Sequence, residues 1–312
     1  MKVVEANKLT ETEVDMETDA TTKSDGSTPS GFKVIVREIL RDWLALGSLI
    51  FLILIAAFVY GTALFLDQKE IVTVDIFNTY APPSADNWLG TDYGGRDVFG
   101  QLIIGTKNSL SIGILVTLMS GFIGIATGIV AGYFGGQIDN ILMRIVDFFL
   151  VLPFLMIVIV FVAIVPTYSI WTFSLIMTIF LWMGIARLIR SRALAEAELD
   201  YIQASKTLGS SNLKIMITQL LPNISSLIIV TMTLSLAANI GIESGLSFLG
   251  FGFPESTPSL GTLLSYARNP TVLQDRWWIW LPAAVLILVI MLAIRNVGEA
   301  LKRASDARQR RG

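Results

Sequence analysis

The sequence contains neither cysteine nor histidine. The absence of cysteine excludes disulfides, thiolate nucleophiles and cysteine metal sites, and the absence of histidine removes the usual zinc ligand and the commonest general base. Most metalloenzyme and catalytic-triad chemistry is therefore excluded. Because the chain has no thiols, its composition does not indicate a redox compartment.

Charged residues are also scarce. Only 15% of the 312 residues are Asp, Glu, Lys or Arg, whereas 53% are hydrophobic and the mean hydropathy is +0.66. This composition is typical of a membrane protein and not of a water-soluble globule. The 23 basic and 25 acidic residues leave a formal net charge of -2. Such a balance argues against nucleic acid as a partner, because it offers no excess charge to neutralise a phosphate backbone.

Long uncharged stretches predict the fold class. A helix of about 20 apolar residues crosses the roughly 30 Å hydrocarbon core of a bilayer, and backbone that faces lipid must be helical to satisfy its own hydrogen bonds. The stretch at 148–186 is long enough for two helices, and Pro166 near its middle divides it. We therefore predict an all-α integral membrane protein with six transmembrane helices, at residues 43–66, 108–134, 148–165, 170–186, 223–242 and 277–294.

The N-terminal region precedes the first predicted span. Residues 1–31 hold seven acidic residues, three lysines and no aromatic residue, so a disordered cytoplasmic tail is predicted. In residues 32–66, Lys33, Arg37 and Arg41 recur every four residues. This spacing predicts an interfacial helix that leads into the first transmembrane helix. A cleavable signal peptide is not expected, because 42 residues precede the span.

The distribution of lysine and arginine predicts the orientation. With six spans and the N-terminus inside, 18 of the 23 basic residues lie in inside segments and five in outside segments, as the positive-inside rule requires. Both termini are therefore predicted to be cytoplasmic, in a multi-pass protein of the cell membrane. The predicted segments are an extracytoplasmic loop at 67–107, a five-helix core at 108–294 with a cytoplasmic loop at 187–222 and an outer loop at 243–276, and a basic cytoplasmic tail at 295–312. The outer loop is expected to fold back as a re-entrant or interfacial element.

The predicted span interiors contain no Asp, Glu, Lys or Arg. Secondary transporters and proton pumps usually keep such groups inside the bilayer, so an energy source outside the spans is expected. The chain has no G-x-x-x-x-G-K-[ST] phosphate loop, and any ATP must therefore be bound by another polypeptide. Gly124, Gly128 and Gly132 fall four apart on one helical face; packing within the chain is favoured over contact with a second subunit.

The loop at 187–222 combines the signals of two helices and a break. Glu196 and Asp200 suit the start of a helix and Lys206 suits its end, Gly209 is expected to adopt the left-handed conformation, and Ser210 or Ser211 is a candidate cap for the next helix. On composition alone a solvated charged loop is favoured over a docking element.

The order of residues in this loop carries a resemblance. Residues 200–223, DYIQASKTLGSSNLKIMITQLLPN, resemble the EAA loop of ABC importer permeases, with Gln203, Ala204 and Ser205 at the E-A-A core and Gly209 and Leu221-Pro222 in place. In that family the loop forms a coupling helix in a groove of the ATP-hydrolysing subunit. The resemblance implies an ATPase-coupling loop made of Asp200, Tyr201, Gln203, Ala204, Ser205, Lys206, Thr207, Leu208 and Gly209.

Four further stretches resemble one branch of that family, the C-type permease of oligopeptide, dipeptide and nickel importers. They are LGTDYGGRDVFGQLIIGTKNSL (89–110), YFGGQIDNILMRIVDFFLVLP (133–153), ESGLSFLGFGFPESTPSLGTLL (243–264) and RNVGEALKRASDAR (295–308). The resemblance implies a type I importer permease that pairs with a second homologous permease, two cytoplasmic ATPase subunits and an extracytoplasmic substrate-binding protein. It also implies that this chain binds no cofactor, since ATP and Mg belong to the ATPase subunits.

Several charged and aromatic residues of the loops have two interpretations. Asp92, Arg96 and Asp97 either anchor the first outer loop through an ion pair and a helix cap or are simply solvated. With Phe248, Phe251 and Phe253, they are also candidate outer-gate or binding-protein contacts. On the inside connection, Asp139, Arg144 and Asp147 are expected to pair with one another and not to bind a partner.

The sequence therefore predicts a membrane permease subunit that forms half of an ATP-driven import pathway, most readily for oligopeptides or dipeptides. The alternatives are the same architecture importing nickel, heme or another small solute, and an ATPase-independent carrier or channel. A membrane-bound enzyme lacks a catalytic set of residues, and no catalytic or metal site is predicted.

Overall fold

A computed structural model describes residues 40–165, 169–254 and 256–309. The predicted tail at 1–31 and the start of the predicted interfacial helix, including Lys33 and Arg37, lie outside these ranges. Over the described ranges the chain is helical, and the only β pairing there is an isolated bridge between Thr91 and Asp97. The helices are α1 (Trp43–Thr62), α2 (Gln68–Ile71), α3 (Val98–Phe134), α4 (Gly136–Val151), α5 (Phe154–Ile164), α6 (Ile170–Ala197), α7 (Asp200–Thr207), α8 (Asn212–Leu249), α9 (Leu260–Ser265), α10 (Pro270–Asp275) and α11 (Trp277–Gln309).

The predicted all-α membrane fold is confirmed. Five helices of the described chain are long and apolar enough to span a bilayer: α1, α3, α6, α8 and α11. The remaining predicted span, at 148–165, is not a straight helix. It belongs to a broken pair, α4 and α5, whose axes are bent by 74°, so the chain has six spans if this pair counts as one.

The break between α4 and α5 has a local cause at Pro153. A proline disfavours the helical conformation in the residue before it, and Leu152 is extended, with φ -72° and ψ 137°. The next helix begins directly after Pro153, which lacks the N–H that a continuing helix would need. Pro153 thus separates the end of α4 from the start of α5.

The transmembrane helices extend past the predicted ends. The helix α3 begins at Val98 and not at residue 108, α6 continues to Ala197, and α11 continues to Gln309. The helices therefore continue into the predicted loops at 67–107, 187–222 and 243–276 and into the predicted tail at 295–312, and the boundaries of these segments relative to the membrane stay predictions. The reason is physical: charged residues were taken to end each span, but a helix that projects from the bilayer carries charge without losing its backbone hydrogen bonds.

The glycine face of α3 packs against α6. A Cβ atom added at Gly124, Gly128 or Gly132 would lie 2.7 Å from a backbone oxygen of α6, which belongs to Trp182, Ala186 or Arg190 in turn. The absence of these side chains therefore brings the two helix backbones into contact, which is how small residues drive association in lipid. The prediction that these glycines pack within the chain is confirmed.

The order of contacts shows which ends of the helices lie together. Because Gly124 meets Trp182 and Gly132 meets Arg190, α3 and α6 run parallel. The helix α8 runs antiparallel to both. Asp42 before α1 forms an ion pair with Arg303 of α11, so the two ends of the described chain lie on the same side of the helix bundle.

Two segments project from opposite ends of this bundle. We call residues 199–211, which contain α7 and connect α6 to α8, the elbow. We call the described residues 63–97, 250–254 and 256–276 together the cap, because the first cap segment (63–97) and the second (250–254 and 256–276) join helices at the other end. The helix α9 of the cap folds back among the long helices, with Leu260 and Leu263 buried against α8 and α11. This geometry agrees with the expectation that the second cap segment folds back, and its course relative to the membrane, re-entrant or interfacial, stays a prediction.

Candidate functional site

The elbow is a short helix with a defined stop. The N–H of Gly209 donates to the carbonyl of Lys206 (3.0 Å) and the N–H of Ser210 donates to that of Ser205 (3.1 Å). With Gly209 at φ +78°, this is the Schellman pattern of a helix end. The predicted helix, glycine break and second helix are confirmed, with two corrections: Glu196 lies in α6, and Ser211 precedes α8 without a side-chain capping bond.

The elbow is anchored to three long helices. Ile202 is fully buried in a cluster that contains Ile189 of α6 and Ile215 of α8. The Lys206 ammonium lies 4.7 Å from the centre of the Tyr133 ring of α3, a cation–π contact. The elbow therefore contacts α3, α6 and α8.

Tyr201 ties the elbow to its neighbours by two hydrogen bonds. Its hydroxyl donates to Glu196 Oε1 (2.7 Å) and accepts from Asn223 Nδ2 (2.6 Å). Burial, and after it the hydrogen bond to Glu196, raises the pKa of Tyr201 to about 12. The phenol therefore stays protonated, and remains a donor, throughout the physiological range.

Gln203 replaces the glutamate of the EAA core and has a contact of its own. Its Nε2 donates to the carbonyl of Ala197 at the end of α6 (2.8 Å). A carboxylate cannot donate this bond, so the glutamine is suited to holding the elbow against α6. The Ser205 hydroxyl donates to the carbonyl of Tyr201, and the Thr207 hydroxyl donates to the carbonyl of Gln203, both within the elbow.

The outer face of the elbow is open to solvent and partly apolar. Asp200, Ala204 and Gly209 are exposed, and Leu208 at the tip is 85% exposed. Lone exposed leucines are common, but this leucine stands on a rigid helix end that is itself anchored beneath. Tyr201 and Gln203 are exposed as well, although their polar atoms bond to α6 and α8.

In the cap, Asp92 and Arg96 form a buried ion pair, with Arg96 Nε donating to Asp92 Oδ2 (2.8 Å). Gln101 of α3 donates to the same oxygen (2.9 Å), and Arg96 Nη2 donates to the Tyr266 hydroxyl (3.2 Å). Burial alone lowers the pKa of Arg96, but the charges of Tyr266 and Asp92 outweigh it and leave the pKa above its ordinary value. The network therefore joins the two cap segments and α3.

Asp97 caps α3. Its Oδ2 accepts the N–H of Gly100 (2.7 Å). Burial raises the pKa of Asp97, and the N–H groups of Gly100 and Phe99 offset part of this rise. Asp92, Arg96 and Asp97 therefore anchor the first outer loop through an ion pair and a helix cap, and they are not simply solvated.

Burial limits what the cap residues can contact. Asp92 and Arg96 are buried, and Phe253 is buried with its ring centre 5.0 Å from that of Phe173. In this conformation these three side chains offer a soluble partner almost no surface, which argues against them as binding-protein contacts. Phe248 and Phe251 are half-buried, and their contact with a partner stays a prediction.

The charges of α4 pair differently from the expectation. Asp139 pairs with Arg190 and Asp147 with Arg187, both on α6, whereas Arg144 is exposed and has no ion pair within the described chain. The prediction that the three pair with one another was wrong, because helix α4 turns its two carboxylates toward the cations of α6. These pairs hold the bent segment to α6.

Glu243 is a buried charged residue that the sequence interpretation missed. The span predicted at 223–242 stopped before it, but α8 continues to Leu249 and Glu243 is fully buried within that helix. The helix that forms this span therefore carries a buried acidic residue just beyond the predicted end of the span. Ser247 lies one turn later on the same face of α8.

The chain is similar to a protein family and to named transport proteins. The family model described as "Binding-protein-dependent transport system inner membrane component" matches residues 124–311. The chain is 48% identical over 276 residues to an oligopeptide transport system permease protein, OppC, of Lactococcus lactis subsp. cremoris, covering 88% of this chain and 94% of that protein. It is 37% identical to the dipeptide transport system permease protein DppC of Bacillus subtilis, covering 88% of this chain and 85% of that protein.

A solved structure shares the fold. A chain of the MetNI methionine ABC transporter, in an inward-facing conformation, superposes with a TM-score of 0.55 at 20% identity, covering 66% of this chain and 97% of that one. At this identity the likeness shows the fold alone.

Proposed function

This chain belongs to the family of binding-protein-dependent transport system inner membrane components, and from that premise we propose that it is a permease subunit of an ATP-driven importer of oligopeptides or dipeptides. The permeases of Lactococcus lactis and Bacillus subtilis that it resembles bear oligopeptide and dipeptide names. With a second, homologous permease it forms the membrane pathway. Substrate arrives on a binding protein at the cap, and two ATPase subunits bind at the elbow in the cytoplasm.

The observation that carries this proposal is the geometry of the elbow. An exposed tip at Leu208 and Gly209 stands on a helix whose other face is locked to α3, α6 and α8. Closure of the ATPase subunits pushes on this tip, and the anchored helix passes the displacement into the membrane helices. A loop with no anchor would yield to the push without moving them.

The ATP that drives transport is bound by the ATPase subunits and not by this chain. Its long helices present mainly apolar and neutral polar side chains, suited to peptide backbones of varied sequence. The ion pairs Asp139–Arg190 and Asp147–Arg187 keep the bent pair α4 and α5 attached to α6 when the elbow moves α6.

An ATPase-independent carrier is the competing function, and Glu243 would be the candidate coupling carboxylate of such a carrier. A coupling carboxylate in a carrier must exchange protons or ions with water, whereas Glu243 is fully buried and hydrogen-bonded to serines. No observation of the described chain therefore favours the carrier.

Reconstitution tests the proposal. The complex in proteoliposomes should take up a labelled oligopeptide only with ATP, binding protein and both ATPase subunits present. Uptake by the chain without the ATPase subunits would contradict the proposal and indicate a carrier.

A matched pair of variants tests the elbow. Leu208→Ser should reduce the ATPase subunits that co-purify with the permease, since Leu208 lies at the tip. Leu64→Ser alters a leucine of equal exposure at the cap end, 84% against 85%, and should leave co-purification unchanged. Equal losses in the two variants would show that the elbow is not the docking surface.

A further inference from the structure

Glu243 has an unusually complete set of hydrogen-bond donors around it. Its Oε2 accepts from Ser109 Oγ (2.8 Å) and from Ser244 Oγ (3.3 Å), and its Oε1 accepts from Ser247 Oγ (2.8 Å). Burying an ionisable side chain in a membrane helix is costly, and such residues usually have a function. Glu243 takes part neither in docking at the elbow nor in the ion pair of the cap.

The carboxylate orients a hydroxyl that holds the cap. A serine hydroxyl has one proton to donate, and Ser109 donates it to Glu243. The lone pairs of Ser109 Oγ are thereby free to accept the N–H of Leu260 (3.1 Å), the first residue of α9. That N–H has no partner inside its own helix. Glu243 thus secures α9 through Ser109.

The second cap segment fits closely on this site. A Cβ at Gly261 would lie 2.6 Å from the carbonyl oxygen of Ser244, and one at Gly105 would lie 3.0 Å from the backbone of Ser259. Asn108 of α3 donates to the carbonyl of Pro258 (2.7 Å). The segment is therefore held against both α3 and α8, with no room for it to shift while these contacts last.

The same helix that carries Glu243 begins at the elbow. The helix α8 runs 38 residues from Asn212 to Leu249, or about 57 Å at about 1.5 Å per residue. At its start Asn212 accepts a hydrogen bond from the Tyr133 hydroxyl (2.9 Å). A displacement of the elbow therefore reaches Glu243 along one continuous helix and alters its position relative to Ser109 of α3.

From these contacts we propose that Glu243 is a positioning residue that keeps the second cap segment closed against α3 and α8, and that the transport cycle opens the cap by separating Glu243 from Ser109. The proposal rests on the proposed function for the meaning of the cycle. The hydrogen bond between Ser109 and Glu243 is present in this chain and does not depend on the proposed function.

Cysteine labelling provides the test, because the chain has no cysteine of its own. Leu263→Cys places a reporter in α9, where the side chain is 1% exposed, and Ile202→Cys places a second reporter in the buried anchor of the elbow. A maleimide is applied without ATP to the purified complex in detergent micelles, where it reaches both ends of the bundle, and the labelling rate of each reporter is measured.

Glu243→Gln removes one acceptor while keeping the size of the side chain. We expect it to speed labelling of the Leu263 reporter about tenfold and leave the Ile202 reporter protected. Ser109→Ala should have the same effect, and the double variant should add little to either, since both act on one contact. Glu70→Gln, an exposed glutamate of the cap, is the matched control and should change nothing.

ATP turnover gives a readout that a merely structural role would not move. In the wild-type complex, hydrolysis should increase labelling of the Leu263 reporter, and in Glu243→Gln the labelling should be high with or without ATP. An unchanged rate in Glu243→Gln and Ser109→Ala would overturn the proposal, as would strictly additive effects or equal exposure of the Ile202 reporter. Labelling without ATP does not depend on transport, so a failure of peptide uptake refutes the proposed function without deciding this contact.

Discussion

Substitutions at Gly209 are expected to weaken the elbow in proportion to their intolerance of positive φ. Gly209 has φ +78°, and no heavy atom lies within 4 Å of a Cβ built there. A new side chain therefore meets no steric obstacle, and the whole penalty is the conformational strain of the backbone. This separates the requirement for a left-handed residue from any requirement for a small one.

The size of the expected loss of elbow stability follows from this backbone strain. A residue with a Cβ costs about 1–2 kcal/mol in the left-handed region, which changes the ratio of capped to frayed elbow about 5- to 30-fold. Gly209→Asn should be the mildest change and Gly209→Val more severe than Gly209→Ala, because a β-branched side chain tolerates this region least. Gly209→Pro should abolish coupling, because proline fixes φ near about -65° and lacks the N–H that donates to Lys206.

The assay is ATP hydrolysis by the reconstituted complex, with and without peptide-loaded binding protein. Stimulation should fall in the order Gly, Asn, Ala, Val, Pro while the membrane helices stay inserted. Gly47→Ala is the matched control, since a Cβ there also meets nothing within 4 Å, and it should leave stimulation unchanged. Equal stimulation in the Asn, Ala and Val variants would refute the reasoning, as would an equal loss in the control.

Three further predictions concern the bundle, the cap and the elbow. Gly128→Leu should prevent α3 and α6 from packing, because its Cβ would lie 2.7 Å from the carbonyl oxygen of Ala186. Assembly of the complex, measured by size-exclusion chromatography, should then be lost. Gly184→Leu, where a Cβ meets nothing within 4 Å, should assemble normally. Asp92→Asn should destabilise the cap by about 3–5 kcal/mol because it removes the charged partner of the buried Arg96 side chain, and protease applied from the cap side should then cut faster than in the wild type. Because the pKa of Tyr201 is raised to about 12, the elbow should keep its stability below the ordinary tyrosine pKa of about 10 and lose it as pH rises to about 12, since the unfolded segment releases the proton first. Tyr201→Phe should remove that dependence in limited proteolysis across this pH range, and an identical pH profile in the two proteins would contradict the assignment.

Local patterns accounted for much of the fold. The membrane character follows from composition, the position of the elbow from residue order, and the stop at Gly209 from the conformational freedom of glycine. The glycine face of α3 was predictable because residues four apart share a side of any helix. The ends of the helices were predicted less well, since Glu243 was treated as a boundary when it is buried in the interior of α8.

What the chain encodes by itself is each helix, the order of the helices and the residues that break them, because these depend on neighbours within a few positions. The partners of Glu243 and Asp92 depend on tertiary structure alone. Ser109 reaches Glu243 across 134 positions, and Tyr266 reaches Asp92 across 174. No local spacing encodes such distances, and they are decided when α3, α8 and the cap pack and bury their polar groups, which must then find partners among whatever the fold has brought near.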